Sequence, residues 1–277
     1  MKALKPILIL CAAICCFASC KKEVDMTLVQ KTLFENTEIR QIEVDDGWNV
    51  TVVADSSTFV EVEHSAYLEN YLKINMEGSK LHIGFTGKVY AETGSVYRAT
   101  VHTDKLEALT SEDESNLQFD GVFSGQTLTI KLSDVSHCYG LVFSGDQCEI
   151  EVEDISILAG FQFIGNTCKA VLDDASQFNG DIQAADQLEV ELKGASRFVN
   201  KGNTTQRAII KLQSTSLLNM AETQVDTMEV ELSGGSEATV QVTSLLSGTL
   251  TEASTLYYKG HPQIEIDCSD DSQLIPF

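Results

Sequence analysis

Between residues 132 and 238 the chain reads LSDVSHC (132–138), VEDISIL (152–158), LDDASQF (172–178), LKGASRF (192–198), LQSTSLL (212–218) and LSGGSEA (232–238). The serines fall at Ser136, Ser156, Ser176, Ser196, Ser216 and Ser236, five successive intervals of 20 residues. Looser copies extend the series to Ser115 on one side and to Ser254 and Ser272 on the other. A fixed period of this length marks a repeat architecture and has to be read before any local secondary structure.

Each serine follows a stretch with period-two alternation, such as Leu128, Ile130, Leu132; Cys148, Ile150, Val152; and Leu188, Val190, Leu192. The intervening residues are mostly Glu, Lys, Thr or Ser, so one face of each strand is buried and the other is wet. Two residues after each serine the chain turns apolar or small again, at Leu117, Cys138, Leu158, Phe178, Phe198, Leu218, Ala238, Leu256 and Leu274. Twenty residues leave no room for a helix, so inward residues can be buried only by stacking one copy on the next at about 4.8 Å. The chain is therefore expected to be all-β, a single-stranded parallel β-helix with about 20 residues per coil and about nine coils, roughly 40 Å long.

The same register assigns the polar repeats. Cys148 and Cys168 occupy the inward slot of Leu128 and Leu188, and Cys138 that of Leu158, which makes them core cysteines. A bridge between Cys148 and Cys168, one coil apart, stays open. The serines fit coil corners whose hydroxyls bond the backbone of the bend. A nucleophile needs a base within reach, and no histidine or lysine recurs in register with them. Two positions before the serines stand Asp113, Asp134, Asp154, Asp174, Gly194, Ser214, Gly234, Glu252 and Asp270. Stacked carboxylates repel by roughly 3 kcal/mol at an effective dielectric of 20 but under about 1 kcal/mol in water, so the column is either solvated or neutralised. Asp134, Asp154 and Asp174 are accordingly the candidate metal ligands, for calcium, with solvated turns as the alternative.

Residues 1–19 read as an export signal: Lys2 and Lys5, an apolar run from Ile7, then Ala18-Ser19 before Cys20. The run is too short to span a bilayer and has the layout of a lipoprotein signal peptide, with Cys20 as the lipid attachment residue. Removing Lys2 and Lys5 leaves 17 Lys and Arg against 41 Asp and Glu, a net charge of −24. Such acidity repels nucleic acid and favours solubility. Residues 20–32 read as a tether, 33–108 as an irregular N-terminal β cap with the first coils, and 109–277 as the repeats, continuous with the cap. A short helical turn is expected at SAYLENYL (65–72).

The lipoprotein signal, the spaced apolar residues from Phe34 to Val52, the strand from Gly78 to Ile83, the entry from Val101 to Leu109 and the Gly-Ala-Ser and Gly-Gly-Ser turns at 194–196 and 234–236 together form a layout. It resembles the putative auto-transporter adhesin, head GIN domain family over nearly the whole mature chain. The resemblance implies a right-handed β-helix shaped like the pectin lyases but without a recognised catalytic set. The aspartates at 134, 154 and 174 depart from the family's glycine turns and make any groove there more acidic. The function this favours is a non-catalytic binding or adhesion module of the cell envelope, held by its lipid on the bacterial outer membrane and taking a glycan or protein ligand. Glu23 and Asp25 beyond the lipid site point to surface display. A structural scaffold is the second reading, and a polysaccharide-active enzyme the third, for which Arg197, Arg207 and His137 are the basic candidates. Tyr97, Tyr139, Tyr257 and Tyr258 are candidate stacking platforms.

Overall fold

The computed structural model describes residues 24–277; the signal segment and Cys20 lie outside the described residues. The 23 strands of the described residues join one continuous sheet that winds into a solenoid with about 20 residues per coil. Each coil has three sides. The side leading away from the serine stacks Val50, Leu117, Cys138, Leu158, Phe178, Phe198, Leu218, Ala238, Leu256 and Leu274 in parallel register. The side leading into the next serine stacks Ile42, Leu109, Ile130, Ile150, Ala170, Val190, Ile210, Val230, Gly248 and Ile266. Both files follow the inward alternation read from the sequence.

The short third side between them is less visible in the sequence. It carries Val122–Ser124, Val142–Ser144 and the middle of the long strand Ile157–Leu172, whose Phe123, Phe143 and Phe163 point inward and are fully buried. Phe143 and Phe163 stack at 6.3 Å, and Phe178 on Phe198 at 4.4 Å. Aromatic files of this kind fill a solenoid lumen efficiently because each ring meets its own copy in the next coil. The repeated Val-Phe-Ser-Gly at 122–125 and 142–145 was the available signal. Its glycine is required: a Cβ on Gly145 would lie 2.6 Å from both the Gly125 carbonyl oxygen and the Phe143 ring.

Within residues 33–108 the first coil comprises Gln41–Val44, the Asp45–Trp48 turn and Asn49–Val53, in register with Ala108–Ser111 and Asn116–Asp120. Of the intervening residues, Lys80–Phe85 and Tyr97–His102 stack parallel on Gln41–Val44 and Asn49–Val53, and the cap proper is added to them antiparallel. Phe59–Ser65 pairs with Tyr97–His102, and Leu72–Glu77 with Lys80–Phe85. Residues 28–32 of the expected tether belong to the strand Leu28–Leu33, paired antiparallel to Phe59–Ser65. Its alternation LVQKTL is amphipathic but too short to stand out beside the repeat. The helical turn at SAYLENYL is a 3-10 helix, Ala66–Tyr71. Trp48 is buried against Phe85 and Tyr97, with ring centroids 5.4 and 5.8 Å away, which locks the first coil to the cap.

Candidate functional site

The residues that carry chemistry divide sharply into inward and outward sets. The ladder serines from Ser115 to Ser254 are all buried. Several hydroxyls bond nearby backbone, Ser136 Oγ donating to the Ser111 carbonyl at 2.8 Å, Ser216 Oγ to Gln213 at 2.8 Å and Ser254 Oγ to Leu232 at 3.2 Å, while those of Ser115, Ser176 and Ser236 have no partner among the described residues. Cys138, Cys148 and Cys168 are free and buried, with Cys148 and Cys168 paired in register, and Cys268 is free and exposed. Burial raises the Cys138 and Cys148 thiols well above their ordinary range, so neither supplies a thiolate nucleophile at neutral pH.

The acidic column lies outward, and its backbone explains its composition. All nine positions two before a serine have a positive φ, from 51° at Asp154 to 66° at Gly234. At Asp113-Glu114, Asp134-Val135, Asp154-Ile155, Glu252-Ala253 and Asp270-Asp271 both central residues are left-handed, and the serine N–H returns to the residue three before it, which makes type I′ turns. At Asp174, Gly194, Ser214 and Gly234 only the first is left-handed. Glycine and short polar residues tolerate this region best, so the column is filled mainly by aspartate, glycine and serine for conformational reasons. The sequence showed the alignment; the sign of φ came from the structure.

Asp134, Asp154 and Asp174 are exposed at these turn tips. Among the described residues no group of three or more His, Cys, Asp or Glu side chains is gathered as a metal centre. The structure instead brings Asp134 together with Asp46, Asp113 and Glu114 around a groove of about 830 Å³ whose opposite wall is Lys88, Val89, Tyr90 and Tyr97. Asp154 and Asp174 lie outside it. Tyr90 is 80% exposed and carries Lys88 Nζ 5.3 Å from its ring centre. Val135 and Ile155, β-branched yet held at φ 67° and 66°, project into solvent beside the aspartates. Of the tyrosines singled out from sequence, Tyr139 is exposed, Tyr97 packs on Trp48, and Tyr257 and Tyr258 are half-buried, so they form no exposed line.

A second groove, of about 600 Å³, lies across the short third side, lined by Ile164, Gln183, Asn203, Thr204, Gln206, Gln224, Asp226 and Thr243 among others. It opens where residues 201–203 leave the ladder between Arg197–Asn200 and Thr204–Leu212. The buried Asn200 mends the gap: its Oδ1 accepts from the Ile182 N–H at 2.7 Å, and its Nδ2 donates to Thr223 at 3.0 Å. Arg197, Arg207 and His137 do not meet in either groove. Arg207 pairs with Glu229 at 3.1 Å, and His137 stacks on Tyr139.

In the cap, His82 Nε2 lies 3.0 Å from Asp45 Oδ2, and its Nδ1 meets the Lys73 carbonyl at 3.2 Å. Burial pushes the Asp45 carboxyl up to about 6, against the pull of His82 and with the push of Asp46. Gly84 makes room for this carboxyl, since a Cβ there would fall 1.6 Å from Asp45 Oδ1.

A family model described as "Putative auto-transporter adhesin, head GIN domain" matches residues 39–262. No curated protein matches the chain. Among solved structures, it resembles a putative adhesin from Parabacteroides merdae with a TM-score of 0.67 and 15% identity, covering 92% of this chain and 98% of that one. A putative adhesin from Parabacteroides distasonis gives 0.63 and 17%, covering 91% and 98%. A protein from the same organism described as a putative lipid binding protein gives 0.64 and 15%, covering 90% and 96%. At these identities the likeness bears on the fold.

Proposed function

The chain belongs to the putative auto-transporter adhesin, head GIN domain family, and on that premise we propose that it is a non-catalytic binding or adhesion module of the cell envelope, taking a glycan or protein ligand on the outer faces of its solenoid. The observation that carries this reading is the division of polar chemistry: the repeated serines and three of the cysteines are sealed in the lumen. What faces solvent is carboxylate, amide, hydroxyl and isolated apolar side chains around two open grooves. Surfaces of that kind hold ligands by many weak contacts. The lipid at Cys20 places the module on the outer membrane, and Asp25 near the start of the described fold accords with outward display.

Glycan and protein arrays probed with the chain beginning after Cys20, with and without calcium, test the reading. Retention on either array supports it, and silence on both in both conditions sinks it. The same samples test the calcium reading of Asp134, Asp154 and Asp174. A calcium-dependent rise in melting temperature that Asp134→Asn, Asp154→Asn and Asp174→Asn together remove supports a metal, and no rise leaves the column as turn residues. Labelling of Cys20 by a fatty-acid probe, lost in Cys20→Ser, and proteinase access on intact cells test anchoring and sidedness.

A further inference from the structure

Two of the solenoid's three outward sides differ in charge. On the side leading into the serine turns, cations alternate with acids from coil to coil: Lys131 pairs with Glu151 at 2.7 Å, Lys169 with Glu189 at 2.8 Å, and Lys211 with Glu231 at 3.3 Å. The short third side carries a different file. Its outward residues run Ser124, Ser144, Ile164 and Gln183 in register, and beyond the 201–203 break Thr204, Gln224 and Gln241. That row holds no charge, in a chain whose net charge is −22. The groove of about 600 Å³ lies on this row, and Asp226 is its one charged lining residue.

The groove's chemistry selects among ligands. Asn203, Gln206 and Gln224 are exposed and make no side-chain hydrogen bond to any described residue, so each amide offers donors and an acceptor side by side. Asp226 Oδ1 accepts from the Thr243 hydroxyl at 3.1 Å and from the Ser244 hydroxyl, which leaves Oδ2 for an incoming donor. Ile164, 53% exposed, is the apolar contact at one end. Amides and a carboxylate set on rungs about 4.8 Å apart match the paired hydroxyls of a sugar chain running along the stack. A strand-forming peptide would need unpaired backbone, whereas here the backbone of Thr204–Leu212 and its neighbour is already engaged in the parallel ladder. An anionic chain meets the net negative charge, and a cationic one is drawn to the four carboxylates of the other groove.

We propose that the groove from Ile164 to Thr243 is a subsite for an uncharged glycan lying along the solenoid axis; the assignment rests on the binding-module reading above. The test uses the chain beginning after Cys20 on an array of uncharged hexose and N-acetylhexosamine oligosaccharides, with sialylated and sulfated ones and a panel of cell-surface proteins alongside. Uncharged oligosaccharides are expected to be retained. The double variant Gln206→Ala/Gln224→Ala should weaken retention at least tenfold with no change in melting temperature, while Lys131→Gln/Glu151→Gln, at an ion pair outside both grooves, leaves it unchanged. Retention of uncharged glycans that the glutamine variant does not alter overturns the subsite while the binding module stands. So does retention of charged glycans or proteins alone. Silence across both arrays overturns the subsite and the module reading together.

Discussion

At the residue scale the ladder turns set the strictest requirement. Gly194 sits at φ 62° directly over Asp174, whose carbonyl oxygen would lie 2.6 Å from an added Cβ. Gly194→Ala is therefore expected to cost well over about 1 kcal/mol, since it adds a backbone clash to the left-handed penalty. Ile155 presents the opposite case: a β-branched residue at φ 66°, 57% exposed, with little packing to justify it. Ile155→Gly should stabilise the fold by about 1 kcal/mol, read as a higher urea midpoint at constant slope. The serines divide in a similar way. Ser136 Oγ has a carbonyl partner at 2.8 Å, whereas Ser176 Oγ is buried with none among the described residues. Ser136→Ala should cost about 1 kcal/mol, and Ser176→Ala should be close to neutral because it removes a desolvated hydroxyl that gains nothing. Both follow from equilibrium denaturation of single variants.

At the scale of elements, the contact between the first coil and the cap is where pH acts. Asp45 follows the strand Gln41–Val44 and faces His82 on Lys80–Phe85, with Glu43 3.7 Å from the same ring nitrogen. Its folded pKa, about 6, lies above the ordinary 3.8, so between these values the folded state holds more of the proton than the unfolded state does. Asp45 thus opposes folding above about pH 6, and that opposition is relieved as pH falls toward 3.8. Asp45→Asn should flatten this part of the profile. The difference in melting temperature between wild type and variant should shrink on going from pH 7.5 to pH 5, and an unchanged difference would contradict the assignment. The aromatic file of the short side belongs to the same scale: Phe123, Phe143 and Phe163 are each supported by copies in neighbouring coils, an arrangement possible only because Gly125, Gly145 and Gly165 let the backbone close around them.

For the molecule as a whole, the consequence of stacking is that every coil depends on its neighbours and the ends must be managed. At the N-terminal end this is done by turning antiparallel: Leu28–Leu33 and Leu72–Glu77 lie outermost and cover the parallel edges beneath them. A chain that begins at residue 104, without the cap and the first coil, would present the edges of Ala108–Ser111 and Asn116–Asp120 to solvent. Size-exclusion chromatography should find it in oligomers or aggregates where the chain beginning after Cys20 elutes in a defined peak. The solenoid also sets the spacing of everything on its surface. Neighbouring rungs tend to repeat one chemistry per row, charged along the side leading into the serines and uncharged along the row from Ser124 to Gln183, so a small bias in composition becomes an extended surface.

The 20-residue period, the inward files two after each serine and on each preceding strand, the burial of serines and cysteines, and the alignment of Asp134, Asp154 and Asp174 were all legible in the sequence. They are local patterns multiplied by repetition, and repetition itself dictates that like residues stack. Three features needed the tertiary structure. The coil at 41–53 is separated from its partner by the cap hairpins, so its period is hidden by an insertion. The left-handed φ beneath the acidic column is a property of the corner that residue identity alone does not fix, as Val135 and Ile155 show by adopting it. The two grooves join residues from the cap to the turn ladder in one case and from five coils in the other, and only closure of the solenoid brings such residues side by side.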